Sequence, residues 1–168
     1  NENCASGEDI EFTMQVLSRA PQVAFTSKAL TYYVDRKKSA TNQFEVRNFD
    51  AILALKRVVT SFHKNAELDR AICNKISNEW IPEYYIGIYY HCFMHALELY
   101  QNSWFKAADA IRSGLKAHYP GLEKEMRKRI LTGKKRSFYV FSISPIVYFF
   151  FREVRRKMRD GGGKKCKR

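Results

Sequence analysis

The sequence predicts a mainly α fold, with a short β segment on its N-terminal side followed by an antiparallel helical bundle. Three observations predict it. Ile10, Met14 and Leu17 recur at i, i+4 and i+7 behind Ser6-Gly7-Glu8-Asp9, which is one face of a helix with a marked start. From Phe44 onward the apolar residues keep a helical period and almost no strand alternation. Short breaks such as Tyr119-Pro120-Gly121 separate the periodic stretches, and helices joined by short loops pack antiparallel.

The elements follow in order. Ser6 is the expected cap of the first helix, and Gly7 gives the tight turn into it. Glu8, Asp9 and Glu11 fall in the first turn, where the positive end of the helix dipole favours carboxylates. This helix is expected over 8–20, closed by Pro21. Val23 to Phe25 and Leu30 to Val34 are short and rich in β-branched and aromatic residues, and read as strands or as one strand and an extended edge. Asp35 to Asn42 reads as a loop. Its Arg36, Lys37 and Lys38 suit either a solvated turn or a phosphate contact. Helices are expected over 44–63 and 67–81, with Pro82 kinking or restarting the chain, and then over 83–100, 104–118 and 122–131. The stretch from Glu83 to Tyr100 is apolar nearly all round, which places it at the centre of the bundle. Three regions result: 1–42, a helical region over 43–132, and a basic, apolar tail over 133–168.

Charge is unevenly placed. Residues 1–123 hold 14 Lys and Arg against 14 Asp and Glu, whereas residues 124–168 hold 16 against 3, the whole net +13. Such asymmetry points to an anionic partner for the tail. Cys4, Cys73, Cys92 and Cys166 form no Cys-x-x-Cys pair and are read as free thiols of a reducing compartment. Asn1-Glu2-Asn3 is not the start of a signal peptide, and no apolar run reaches the ~18 residues of a spanning helix.

The remaining constellations are bland. His91 and His95 share a helix face, but Cys92-Phe93-Met94 between them offers no acid to act as base, so they read as core or surface histidines and no metal site is expected. His63 and His118 lie near helix ends. The tyrosines of 84–90 suit core packing by their period, with sugar stacking as the other use. Residues 96–120 have a faint likeness to one tetratricopeptide unit but no second copy. Gly161-Gly162-Gly163 reads as a flexible linker.

Gly7-Glu8-Asp9-x-x-Phe12 is followed in order by Val16-Leu17-Ser18-Arg19-Ala20, Val23-Ala24-Phe25, Leu30-x-Tyr32-Tyr33, Arg36 and Ser39-x-Thr41. Over residues 6 to 41 this set resembles the second half of the catalytic domain of a family-2 glycosyltransferase of bacterial type. The resemblance implies that residues 1–42 close an α/β domain of the Rossmann-like GT-A type and that the intact enzyme inverts configuration at the sugar. It implies a nucleotide-sugar donor and, as acceptor, a hydroxyl of a surface glycan or a lipid-linked glycan. Asp9 stands in the family's general-base position with Glu8 beside it, and Tyr33, Arg36 and Ser39 fall where substrate is bound. The family often has an arginine directly after its second tyrosine, where this chain has Val34. The family's Asp-x-Asp metal motif is absent. The resemblance therefore implies a C-terminal part of a longer enzyme, inactive alone, with Mg or Mn held by residues outside it, or else a truncated relative.

The tail is expected to attach the enzyme to the cytoplasmic, inner face of the cell membrane without crossing it. As one helix, Phe138 to Phe151 would span ~21 Å, short of the ~30 Å hydrocarbon core. Ser144 is the expected cap, with Pro145 in the first turn. Val147, Phe151, Val154 and Met158 then form one stripe, with Lys134, Lys135 and Arg136 before it and Arg152, Arg155, Arg156, Lys157 and Arg159 beside and after it. Phe149, Phe150, Phe151, Arg152, Arg155 and Arg156 are the expected contacts with an anionic membrane surface. The competing reading of the run is a buried helix. The competing reading of the chain is a non-catalytic helical module whose basic tail binds nucleic acid or a partner protein. No nucleic-acid motif is present, and no nucleic-acid partner is expected.

Overall fold

The computed structural model describes residues 6–28, 44–64, 70–133 and 137–162. Helix α1 covers Glu8–Leu17, a 3₁₀ turn Val46–Phe49 leads into α2 (Asp50–His63), and α3 covers Arg70–Lys75. A π turn over Ile76–Trp80 joins α3 to α4 (Ile81–Leu99) without a break. Then follow α5 (Trp104–His118), α6 (Leu122–Thr132), α7 (Ser137–Ile143) and α8 (Pro145–Gly162). Among the described residues there is no strand. Val23 to Phe25 has no regular structure, and the Phe25 ring is 94% exposed. A strand needs a neighbour to take its backbone groups, and no described segment lies there to pair. The second expected strand and the basic loop, with Tyr33, Arg36 and Ser39, lie outside the described residues.

Helix α4 is the spine, as its all-round apolar composition predicts. Tyr85, Ile86, Tyr89, Cys92, Phe93, Ala96 and Leu97 are buried along it. Helices α2, α5 and α6 pack on it, and α1 packs on α2. Tyr100–Ser103 turns the chain from α4 back onto α5, with Gln101 and Asn102 at positive φ. The centre is aromatic. Phe49, Tyr85, Tyr89, Phe93, Phe141 and Phe149 form a continuous set of tilted and edge-on ring contacts at 5.3–6.3 Å, an arrangement that suits the ring quadrupoles. One buried polar pair crosses the bundle: the Tyr119 hydroxyl donates to Asp50 Oδ1 at 2.6 Å.

The π turn has an identifiable cause. The Ile81 N–H bonds to the carbonyl of Ile76, five residues back. The next donor in line is Pro82, which has no N–H. The Ser77 carbonyl is therefore without a helical partner, and Arg129 Nη1 of α6 donates to it at 2.9 Å. The expected kink at Pro82 is thus a local widening, compensated from a neighbouring helix.

The tail is two helices, not one. Pro145 opens α8, and the Val147 N–H donates to Ser144 Oγ at 3.4 Å, the expected cap. Helix α7 packs on α6 and α8, and α8 packs on α5. Phe141 and Phe149 enter the common core, so the start of the tail is bundle and the rest of α8 leaves it. Gly161 and Gly162 lie in the last turn of α8 rather than in a linker.

Candidate functional site

The start of α1 differs from the expected one in a detail that fixes its position. Gly7, not Ser6, is the cap, at φ 89°, and the Glu11 N–H bonds to its carbonyl at 3.0 Å. A Cβ on Gly7 would stand 2.6 Å from the Ala51 Cα. Glycine is required twice, for the left-handed backbone and for the close approach of α1 to α2. The helix ends at Leu17, three residues before the expected end, with Ser18 and Arg19 in a turn.

This placement divides the three carboxylates of the first turn. Glu11 is clamped by α2, accepting from Arg57 Nε at 3.0 and 2.9 Å on its two oxygens and from Nη2 at 2.6 Å. The hydrogen bonds from Arg57 hold its pKa below the ordinary carboxylate value. Glu8 and Asp9 are exposed and make no ion pair among the described residues. Asp9 Oδ1 accepts from the Ile10 N–H at 2.8 Å, which orients that oxygen and leaves the other to solvent. Below them runs a groove between α1, α2 and α4. One part, about 470 Å³, is lined by Ile10, Met14, Leu55, Trp80, Tyr84 and Gly87 among others. The second, about 240 Å³, is lined by Ser6, Asn48, Tyr84, Gly87, Ile88 and His91. Tyr84 and Gly87 are common to both, and nothing lies within 4 Å of where a Gly87 Cβ would stand. Burial and then the Asp9 charge push the Tyr84 phenol up, and Ser6 and Ile10, on either side of Glu8 and Asp9, line the groove.

The second candidate surface is α8. Phe149 is fully buried against Tyr89, Tyr90 and Phe93, which corrects its expected membrane contact. At 100° per residue it stands about 200° around the helix from Val147 and Phe151, on the opposite face. Phe150 and Phe151 are more than half exposed, and Val147 and Met158 extend their strip. Phe150 touches Trp104 of α5, with ring centroids 6.2 Å apart. Arg152, Arg155 and Arg156 are exposed. Together with Arg159, Tyr90, Tyr148, Val140 and Phe151 they line a concavity of about 770 Å³. The Arg152 guanidinium lies 4.1 Å over the Tyr90 ring, a cation–π contact. The Tyr90 hydroxyl donates to Glu153, and Arg156 clamps the same carboxylate from Nε at 3.0 Å and Nη2 at 2.7 Å. The tyrosine hydrogen bond, then Arg156, holds the Glu153 pKa down although burial opposes it. Glu153 and Tyr90 are neighbours that sequence reasoning misses. They lie 63 positions apart, and no local period links them.

Among the described residues there is no group of three or more His, Cys, Asp and Glu that could hold a metal. Cys73 and Cys92 are free and buried, and burial pushes the Cys92 thiol up to about 11, so it is an inert core group. No described helix is long and apolar enough to cross a membrane. Comparison with protein-family models, with curated proteins and with solved structures gives no match to the chain.

Proposed function

We propose that this chain is the acceptor-side part of a family-2 glycosyltransferase held on an anionic membrane surface by α8. The observation that carries the catalytic part of this reading is the division of the three carboxylates: Arg57 takes Glu11, while Glu8 and Asp9 are exposed between Ser6 and Ile10, two residues that line the groove. In the proposed reaction Asp9 takes the proton of the acceptor hydroxyl as its oxygen attacks the anomeric carbon. The bond from that carbon to the nucleoside diphosphate breaks, and the diphosphate leaves with the electron pair. Glu8 accepts a second hydrogen bond from the acceptor and orients it. Tyr33, Arg36 and Ser39 bind substrate, and the nucleotide-sugar pocket and its Mg or Mn belong to a further half. An exposed apolar strip beside four arginines supports the membrane part, since apolar insertion plus a basic patch gives lasting interfacial attachment.

In an enzyme carrying the nucleotide-binding half, Asp9→Asn lowers transfer by ~10²–10⁴ and leaves membrane attachment intact. Turnover within a few-fold of the unsubstituted enzyme overturns the assignment. The present chain pellets with anionic vesicles and not with neutral ones. Retention on duplex DNA at matched salt, with no pelleting, favours the nucleic-acid module instead.

A further inference from the structure

Helix α4 holds a second constellation, independent of the transferase reading. His91 and His95 sit one turn apart with their Nε2 atoms 3.3 Å from each other and their ring centroids 4.5 Å apart. We propose that these two imidazoles chelate a zinc ion. Two Zn–N bonds of ~2.05 Å drawn to atoms at that separation subtend ~107° at the metal, close to the tetrahedral angle that zinc takes. A right angle, as in square-planar or octahedral sites, would need the nitrogens only ~2.9 Å apart at the same bond length. Glu98 Oε2 lies 3.9 Å from His95 Nδ1, on the side away from the shared edge.

Both rings are partly exposed, and His91 also lines the groove part shared with Ser6, Asn48, Tyr84, Gly87 and Ile88. No third protein ligand is at hand among the described residues, so two positions of the tetrahedron are left to solvent or to a ligand in that groove. Nitrogen donors suit zinc and not Mg or Mn, so this ion is distinct from the one a glycosyltransferase would use on its donor.

The test follows the imidazole nitrogens by ¹H–¹⁵N spectra of the chain as zinc is added. The expected result is movement of the His91 and His95 rings, complete near one equivalent, with His63 and His118 unmoved. His91→Ala and His95→Ala each weaken zinc binding at least tenfold by calorimetry. No movement of these two rings in large zinc excess overturns the proposal. So does unchanged affinity in both alanine variants, or movement confined to His63 and His118.

Discussion

Arg129 donates to the backbone carbonyl of Ser77, 2.9 Å away on another helix, at the place where the α3–α4 helix has no donor of its own. The same guanidinium is braced by Glu125, which accepts from its Nε at 3.2 Å and Nη2 at 3.1 Å, while Lys56 Nζ donates to the other Glu125 oxygen at 2.6 Å. A backbone defect is thus corrected by a side-chain network from α2 and α6. Replacing Arg129 with Met keeps the stem and removes the donor. An unsatisfied carbonyl and a lost charged hydrogen bond together cost ~1–3 kcal/mol, with the lower end expected for this partly exposed group. Denaturant melts of Arg129→Met, Pro82→Ala and the double variant check it. Pro82→Ala restores a helical donor, so the second change should recover much of the loss. Additive losses would show that Arg129 and the proline are uncoupled.

Gly7→Ala places a Cβ 2.6 Å from the Ala51 backbone and forces alanine into a left-handed conformation. Overpacking and backbone strain together cost ~2–4 kcal/mol. Because α1 is held mainly by α2, the expected loss is local: amide exchange in α1 accelerates while α4 stays protected. Uniform destabilisation, or none, contradicts the packing of α1 on α2.

The Glu11–Arg57 clamp makes stability depend on pH in a defined window. The folded pKa of Glu11 lies below its ordinary value of 4.5, so the contribution is complete above that value and is lost as pH falls through the folded pKa. Glu11→Gln should cost ~0.5–1 kcal/mol at neutral pH. The difference from the unsubstituted chain should then vanish below the folded pKa. Thermal melts across an acid series measure it. A difference that persists at the acid end would mean that the glutamate acts by packing alone.

Phe149 and Phe151 are two positions apart and should answer opposite questions. Phe149→Ala removes a fully buried ring and costs ~3–5 kcal/mol. Phe151→Ser lies on the exposed face, changes stability by less than ~0.5 kcal/mol, and lowers the pelleting of the chain with anionic vesicles. Should Phe151→Ser unfold the protein while leaving vesicle binding intact, the two faces of α8 have been exchanged.

Most helices were legible because a period of 3.6 needs only local sequence. The Ser144 cap and the Pro145 start are of that kind, and so was the central place of α4. The burial of Phe149 was also legible, since a stripe through Val147, Phe151, Val154 and Met158 already puts it on the far side. The π turn was not, because the donor that compensates it, Arg129, lies about fifty positions away. The Glu11–Arg57 and Tyr90–Glu153 pairs were hidden for the same reason. The strand expected at Val23 to Phe25 rested on residue preference alone, and preference does not make a strand where nothing described pairs with it.

The two tryptophans of the chain happen to stand one at each proposed surface. Trp80 lines the groove below Asp9 and is nearly half exposed, while Trp104 is stacked edge-on between Phe93 and Phe150 of the α8 face. The protein therefore has its own pair of optical reporters. Trp80 should emit at longer wavelength and be quenched by iodide, and an acceptor in the groove should shield it. Trp104 should emit further to the blue and respond when lipid displaces Phe150. Phenylalanine at one position or the other leaves a single emitter, so occupancy of each surface can be followed by light alone, without attaching a dye.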